Sequence, residues 1–271
     1  MSGTDNGGSP ENLPLASPPD DTAAGHWVLA RLGKTVLRPG GIGLTRTLLA
    51  HADVANADVL ELAPGLGRTA TEIVARHSRS YLGAEKDPEA AESVRRLLGG
   101  RGDVRITDAA ETGQPDASAD VVIGEALLTA QIDPAKHAIV AEASRVLRPN
   151  GRYAIHEFAF TSDTVPDEVK TQVRQSLVRA IKHDILPLTV AEWSQLLADH
   201  GLIVDHVATA PSAMLEPGRL IADEGIFGAL RFVRNVLTHR DARRRVLRMR
   251  RAFRNQPLVA VAIVAHKPGA D

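Results

Sequence analysis

The chain contains no cysteine. Disulfides, thiolate metal sites and cysteine nucleophiles are therefore excluded, and with them carbon-5 cytosine methylation and thiol relays to arsenite. Aromatic residues make up only 3% of the chain. So few rings argue against an aromatic cage for a quaternary ammonium ligand and against a base-stacking surface. No apolar run approaches the length of a membrane span. No Lys or Arg precedes Arg31, so the charged start of a signal peptide is not expected and the default compartment is cytoplasmic. Charge of one sign is also missing overall. The net formal charge is -1, which by itself suggests no polyanionic partner.

What remains is 271 residues of ordinary globular composition, enough for one large domain. Residues 1–25 hold Pro10, Pro14, Pro18 and Pro19 among small polar residues and read as a disordered tail. Residues 26–56 read as a helical cap, with a helix from His26 to Leu37, a break at Arg38-Pro39-Gly40-Gly41 and a second helix from Leu44 to His51. Strands and helices then alternate. Val59–Leu62, Tyr81–Ala84, Val104–Ile106, Asp120–Gly124, the stretch up to Phe158, Leu202–Val207 and Leu258–Ala265 are the expected strands. Asp87-Pro88 and Asp133-Pro134 open helices, and Thr189 to Glu192 is a capping box. This rhythm predicts a doubly wound, Rossmann-like α/β sheet, mostly parallel and of seven strands. A helical insertion, residues 219–255, precedes the last strand.

In such sheets ligands sit beyond the carboxyl ends of the strands. There the sequence reads Glu61-Leu62-Ala63-Pro64-Gly65-Leu66-Gly67. The small residues Ala63, Gly65 and Gly67 let the backbone approach a ligand, and the following helix offers free N–H donors. A plain turn, or a dinucleotide site, has a similar appearance. Glu85, 24 residues after Glu61, can accept both hydroxyls of a ribose. Asp108-Ala109 follow the third strand, where a carboxylate can accept from an adenine amine. Glu61 is a poor neighbour for a pyrophosphate but a good one for an ammonium and a sulfonium.

Taken in order, these segments resemble the class I S-adenosylmethionine-dependent methyltransferases of the small-molecule kind. Glu61–Gly67 is similar to that family's first motif, although Ala63-Pro64 stand where a glycine is usual. Glu85, in Leu82-Gly83-Ala84-Glu85-Lys86-Asp87, is similar to its ribose acid, and Thr107-Asp108-Ala109 to its adenine motif. Asp120–Glu125 and Arg145–Arg152 resemble the fourth-strand motif and the approach to the fifth strand. The resemblance implies a last strand antiparallel to the rest and S-adenosyl-L-methionine as cofactor. It implies cofactor contacts among Glu61, Ala63, Pro64, Gly65, Gly67, Glu85, Lys86, Asp108, Ala109 and Glu125. Segments like Gly33–Gly41 commonly close over the cofactor in this family, so Arg38 can meet the methionine carboxylate; a plain helix–helix turn is the alternative.

The acceptor is bounded rather than named. The Asn/Asp-Pro-Pro-aromatic motif of enzymes acting on base amines is replaced by Gly124-Glu125-Ala126-Leu127. A small-molecule acceptor methylated at O, N or C remains, and no metal is required. A hydroxyl acceptor needs a base. His156, at the end of the fifth strand, is the candidate base or orienting group; a hydrogen-bonded structural histidine is the plain alternative. Phe158, Phe160 and Trp193 read chiefly as packing, with the two Phe as candidate pocket walls.

Residues 219–255 carry eleven Arg and three acids, a local net charge of +8 against -9 for the rest. Ile226, Leu230, Val233 and Leu237 form one apolar stripe, and Val246, Met249 and Phe253 another. These helices either dock on the acidic body or form a lid for an anionic or lipid-like acceptor or a membrane surface. Nucleic acid ranks last, for want of interleaved aromatics. A nicotinamide-dependent oxidoreductase fits poorly, because the Gly spacing is wrong and no Tyr-x-x-x-Lys pair occurs. A non-catalytic cofactor-binding module is the other alternative.

Overall fold

The computed structural model describes residues 25–254 and 256–269. The expected tail therefore lies, except for Gly25, outside the described residues. The apolar segments form one sheet from β1 (Asp58–Leu62), β2 (Ser80–Glu85), β3 (Asp103–Ile106), β4 (Ala119–Glu125), β5 (Leu147–Phe160), β6 (Ile203–Pro211) and β7 (Leu258–His266). Their order is β3-β2-β1-β4-β5-β7-β6. Pairings among β1 to β5 are parallel, and β7 runs antiparallel to both β5 and β6. This is the doubly wound, Rossmann-like architecture expected from the sequence, with the last strand reversed. The strand order turns back between β1 and β4, which opens a crevice at their carboxyl ends.

Helices cover both faces because the central strands are apolar on both. On one face α2 (Gly41–Ala52), α3 (Arg68–Val74) and α4 (Pro88–Leu98) bury Leu48, Ile73 and Val94 against Val59 and Val121. On the other, α5 (Asp133–Val146) and α7 (Val190–Ala198) bury Val140 and Trp193 against Leu62, Val122 and Tyr153. A third cluster lies at the end of β5. There α1 (Gly25–Arg31), α6 (Asp167–Ile181), α8 (Pro217–Thr238) and α9 (Arg240–Phe253) pack Val28, Leu177, Phe232, Val246 and Met249 together with Phe160. They form a helical cap over the carboxyl side of the sheet.

Local chemistry sets most boundaries. Asp87 accepts from the Glu89 and Ala90 amides at 2.8 and 3.0 Å and caps α4, which ends at Gly99 with φ 58°. The Thr189–Glu192 capping box is fully formed. Asp133 behaves differently from Asp87. It is the first residue of α5 rather than its cap, and its carboxylate takes Lys136 Nζ at 2.8 Å. The first helix stops at Arg31 rather than Leu37, because Gly33 turns the chain with φ 97°. The next residues run extended, their amides at Thr35 and Val36 held by the Glu224 carboxylate at 2.8 and 2.9 Å. α2 starts at Gly41, earlier than the Leu44 expected. β5 starts at Leu147, so the Pro149-Asn150-Gly151 break falls inside the strand, where its register with β4 shifts. The stripe Ile226, Leu230, Val233, Leu237 faces outward, and Ala229 and Phe232 are the buried side of α8. The second stripe is turned inward, with Val246 and Met249 buried.

Candidate active site

The turn after β1 is built for close approach. Ala63, Gly65 and Gly67 all have positive φ, at 53°, 55° and 72°. Where a Cβ on Gly65 would stand, only the Ala63 carbonyl lies within 4 Å, so the bare backbone faces open space. Gly67 is needed for another reason: its φ of 72° strains any side chain, and a Cβ there would stand 2.9 Å from Leu97 Cδ2 and 3.2 Å from Val94 Cγ2, crowding the contact of α3 with α4. The Glu85 carboxylate, at the tip of β2, fixes the turn. Oε2 accepts from the Gly65 amide at 2.9 Å and Oε1 from the Asp87 amide at 3.0 Å.

Two more carboxylates stand behind this turn, in opposite states. Glu61 is 3% exposed, and its Oε2 accepts from Tyr81 Oη at 2.7 Å. Burial pushes its carboxyl up to about 8 despite the Tyr81 bond, and Glu125 and Glu85 add to the rise. Burial alone would also raise Glu125, at the tip of β4, but Arg38, His156 and Thr69 overcome it and hold it at about 2. Glu125 is thus an anion with a full shell. Arg38 Nη1 stands 3.1 Å from Oε2, Thr45 Oγ1 donates to Oε1 at 2.7 Å, and Thr69 Oγ1 donates to Oε2.

His156 completes that shell. Its Nε2 accepts from the Gly40 amide at 3.0 Å, so the ring hydrogen sits on Nδ1 and is donated to Glu125 Oε1 at 2.8 Å. The ring is fully buried. On the other face of β5, Glu157 accepts from the amides of Leu127, Leu128 and Thr129 and from Thr129 Oγ1, at 2.6–3.0 Å. It fixes the loop after β4. Burial pushes Glu157 up to about 7, with those four donors pulling the other way.

A cavity of about 340 Å³ lies between the strand tips and the cap. One end is formed by Ala63, Pro64, Gly65, Glu85, Arg38 and Glu125. The other is largely apolar, with Trp27, Phe158, Ile185, Met214, Met249 and Phe253. Phe158 and Phe253 stack at 5.3 Å. Gln131 and His183 are polar groups on this wall. The cap is pinned over the cavity by charge. Lys34 Nζ pairs with Asp223 at 3.3 Å, both side chains being wholly buried, and Asp223 Oδ1 accepts the Ile42 amide at 3.0 Å.

Six nominated residues thus meet at the cavity: Arg38, Ala63, Pro64, Gly65, Glu85 and Glu125. Glu61, Gly67 and His156 stand behind its wall rather than on it. Lys86 and Asp108 form an exposed ion pair of 3.0 Å at the β2–β3 edge, and Ala109 is buried beside them. The Ala110 amide and Lys86 hold Asp108 below the usual carboxylate range. Phe158 walls the cavity, whereas Phe160 is packed into the cap. The sequence reading missed Thr45 and Thr69, whose spacing carries no signal, and the cap residues Trp27, His183 and Met214. All of α6, which precedes His183, was also unanticipated.

A reversed seventh strand, acidic strand tips and a glycine turn beneath a helical cap define an adenosyl-binding α/β enzyme class. The sequence profile of the methyltransferase domain matches residues 59–151. An uncharacterized protein of Haemophilus influenzae is 32% identical over 219 residues, which cover 79% of this chain and 85% of that protein. The chain belongs to the class I S-adenosylmethionine-dependent methyltransferases, enzymes whose methyl donor is S-adenosylmethionine. Among solved structures, the fold is similar to geranyl diphosphate C-methyltransferase from Streptomyces coelicolor A3(2), determined with Mg2+, geranyl diphosphate and S-adenosyl-L-homocysteine. That match has a TM-score of 0.60 at 16% identity and covers 83% of this chain and 79% of that one. The cyclase SpnF is similar too, with a TM-score of 0.61 at 16% identity over 84% of this chain and 81% of that one.

Proposed function

We propose that this enzyme moves the methyl group of S-adenosylmethionine to a small, lipid-like acceptor held under the helical cap. One observation carries the reading: the buried Glu85 carboxylate and the bare Gly65 backbone share a cavity with an apolar wall of Trp27, Phe158, Met214 and Phe253. The cofactor supplies a methyl group on a sulfonium centre, open to in-line displacement. The residues of this chain bind, orient and exclude water.

Glu85 takes the ribose hydroxyls, and Asp108 and Ala109 take the adenine edge with Lys86 beside it. Ala63-Pro64 set the bend, Gly65 and Gly67 let the backbone take it, and Arg38 meets the methionine carboxylate beside the start of α3. Glu61 and Glu125 supply the negative field for the ammonium and sulfonium. The open space at Gly65 and the positive φ along the turn are what such a ligand needs. His156 acts as a positioning residue, because both of its nitrogens are committed, one to Glu125 and one to Gly40. His183, on the cavity wall, is then the group placed to take a proton from a hydroxyl or amine acceptor. The similar Streptomyces enzyme has an apolar acceptor with a charged end. A comparable acceptor here would lay its chain on the apolar wall and its polar end toward Gln131 and His183.

Isothermal titration with S-adenosylhomocysteine tests the cofactor half. Wild-type protein binds it, and Glu85→Ala loses roughly 100-fold in affinity, about two charge-assisted hydrogen bonds. Binding of NAD in its place, or an unchanged Glu85→Ala variant, defeats the reading. Release of S-adenosylhomocysteine from S-adenosylmethionine when apolar alcohols or amines are supplied separates an enzyme from a mere cofactor binder.

A further inference from the structure

The outer face of the cap is as unusual as its inner one. α8 is apolar on two sides. Ala229 and Phe232 go into the cap, while Ile226, Leu230 and Leu237 on the opposite side are 65%, 62% and 60% exposed. The spacing 226, 230, 233, 237 places them in a single line along the helix. Phe227, beside that line, is 88% exposed. A helix that is apolar all round is normally buried all round. Here one whole side is left in water, as a convex ridge rather than a groove.

The charge around the ridge says what covers it. Residues 219–255 hold eleven Arg and three acids. Two of the acids, Asp223 and Glu224, turn inward to hold Lys34, Thr35 and Ile42. Asp241 alone faces out, beside Arg244 at 3.8 Å. Arg231 and Arg234 flank the ridge on α8 itself, and Arg243 and Arg248 are exposed on α9. No arginine of α8 or α9 lines the cavity. Arg245 is buried and donates to the Ile181 carbonyl at 3.2 Å, and Arg250 pairs with Glu216 at 2.8 Å, while Arg231, Arg234, Arg243, Arg244, Arg248 and Arg251 are exposed.

We propose that the α8 ridge and the arginines of α8 and α9 seat the cap on an anionic lipid surface. The apolar side chains enter the boundary between headgroups and acyl chains, and the arginines meet the phosphates. A second copy of this chain is the wrong occupant, since two such cationic faces repel one another. A nucleic acid has no use for the line of aliphatic side chains. The opposite side of α9 presents Met249 and Phe253 to the cavity, so the docked cap would hold the cavity close to the lipid. The proposal does not depend on the identity of the acceptor or on methyl transfer.

The test is flotation of the full chain with phosphatidylcholine vesicles, with and without roughly one-third phosphatidylglycerol. Wild-type protein floats with the anionic vesicles at least about tenfold better than with the neutral ones, and high salt weakens the association. Phe227→Ser/Leu230→Ser changes only exposed positions, and it lowers partitioning by about tenfold or more. Arg243→Glu/Arg248→Glu does the same, while circular dichroism and S-adenosylhomocysteine binding stay as in wild type. Three results overturn the proposal: no preference for anionic vesicles, partitioning of either variant equal to that of wild type, or a concentration-dependent dimer in sedimentation that the Phe227→Ser/Leu230→Ser change abolishes. Retention on a soluble polyanion without vesicle binding overturns it as well.

Discussion

Replacing Glu61 by Gln is expected to make the protein more stable and a weaker binder of its cofactor. Glu61 is 3% exposed and its carboxyl is pushed up to about 8, against an ordinary value of 4.5. At pH 7 the folded protein keeps a proton there that the unfolded chain has lost. Holding it costs about 3 kcal/mol, the distance from 4.5 to 7 at roughly 1.4 kcal/mol per pH unit. A Gln needs no proton, and its amide oxygen still accepts from Tyr81 Oη. The folded value is raised, so the wild-type contribution is complete below about pH 4.5 and is lost as pH climbs toward 8. The advantage of Glu61→Gln should therefore be under roughly 1 kcal/mol at pH 5 and about 3 kcal/mol at pH 7. For a domain of this size that is a rise in Tm of roughly 6–12 °C. Urea unfolding of both proteins at the two pH values measures it. An equal difference at both pH values, or a variant less stable throughout, refutes the reasoning.

The same group couples cofactor binding to pH. A cationic ligand stabilises the Glu61 anion, so binding should release a proton at pH 7, and affinity should rise with pH until about 8 and then level off; titration in buffers of different ionisation enthalpy reads the proton directly. Glu157→Gln presents an amide NH2 to donors that now meet a carboxylate. It should cost about 1–3 kcal/mol and speed amide exchange at Leu127–Thr129. Asp223→Asn removes a partner from the buried Lys34 and should cost about 3 kcal/mol in denaturant unfolding.

The sheet was legible because its strands are continuous apolar runs bounded by strong punctuation, such as Asp87-Pro88 and the Gly99 stop. The glycine turn and the acidic strand tips were legible because their backbone and charge requirements repeat in order along the chain. Their partners were not. Thr45, Thr69 and Gly40 reach Glu125 and His156 only through tertiary packing, with separations of up to 116 residues. His156 was recognised as a polar residue at a strand tip, but no pattern in the chain shows that Gly40 occupies its second nitrogen. The side of α8 that packs inward was illegible for a related reason. Both sides of that helix are apolar, and periodicity alone does not say which one the cap takes in.

A structure of the protein crystallised with S-adenosylhomocysteine tests the central assignment most directly. The ribose hydroxyls should lie within hydrogen-bond distance of the Glu85 carboxylate, with the sulfur pointing toward the wall formed by Phe158, Met249 and Phe253. A nucleoside seated elsewhere, or a cavity that remains empty at saturating ligand, contradicts the account.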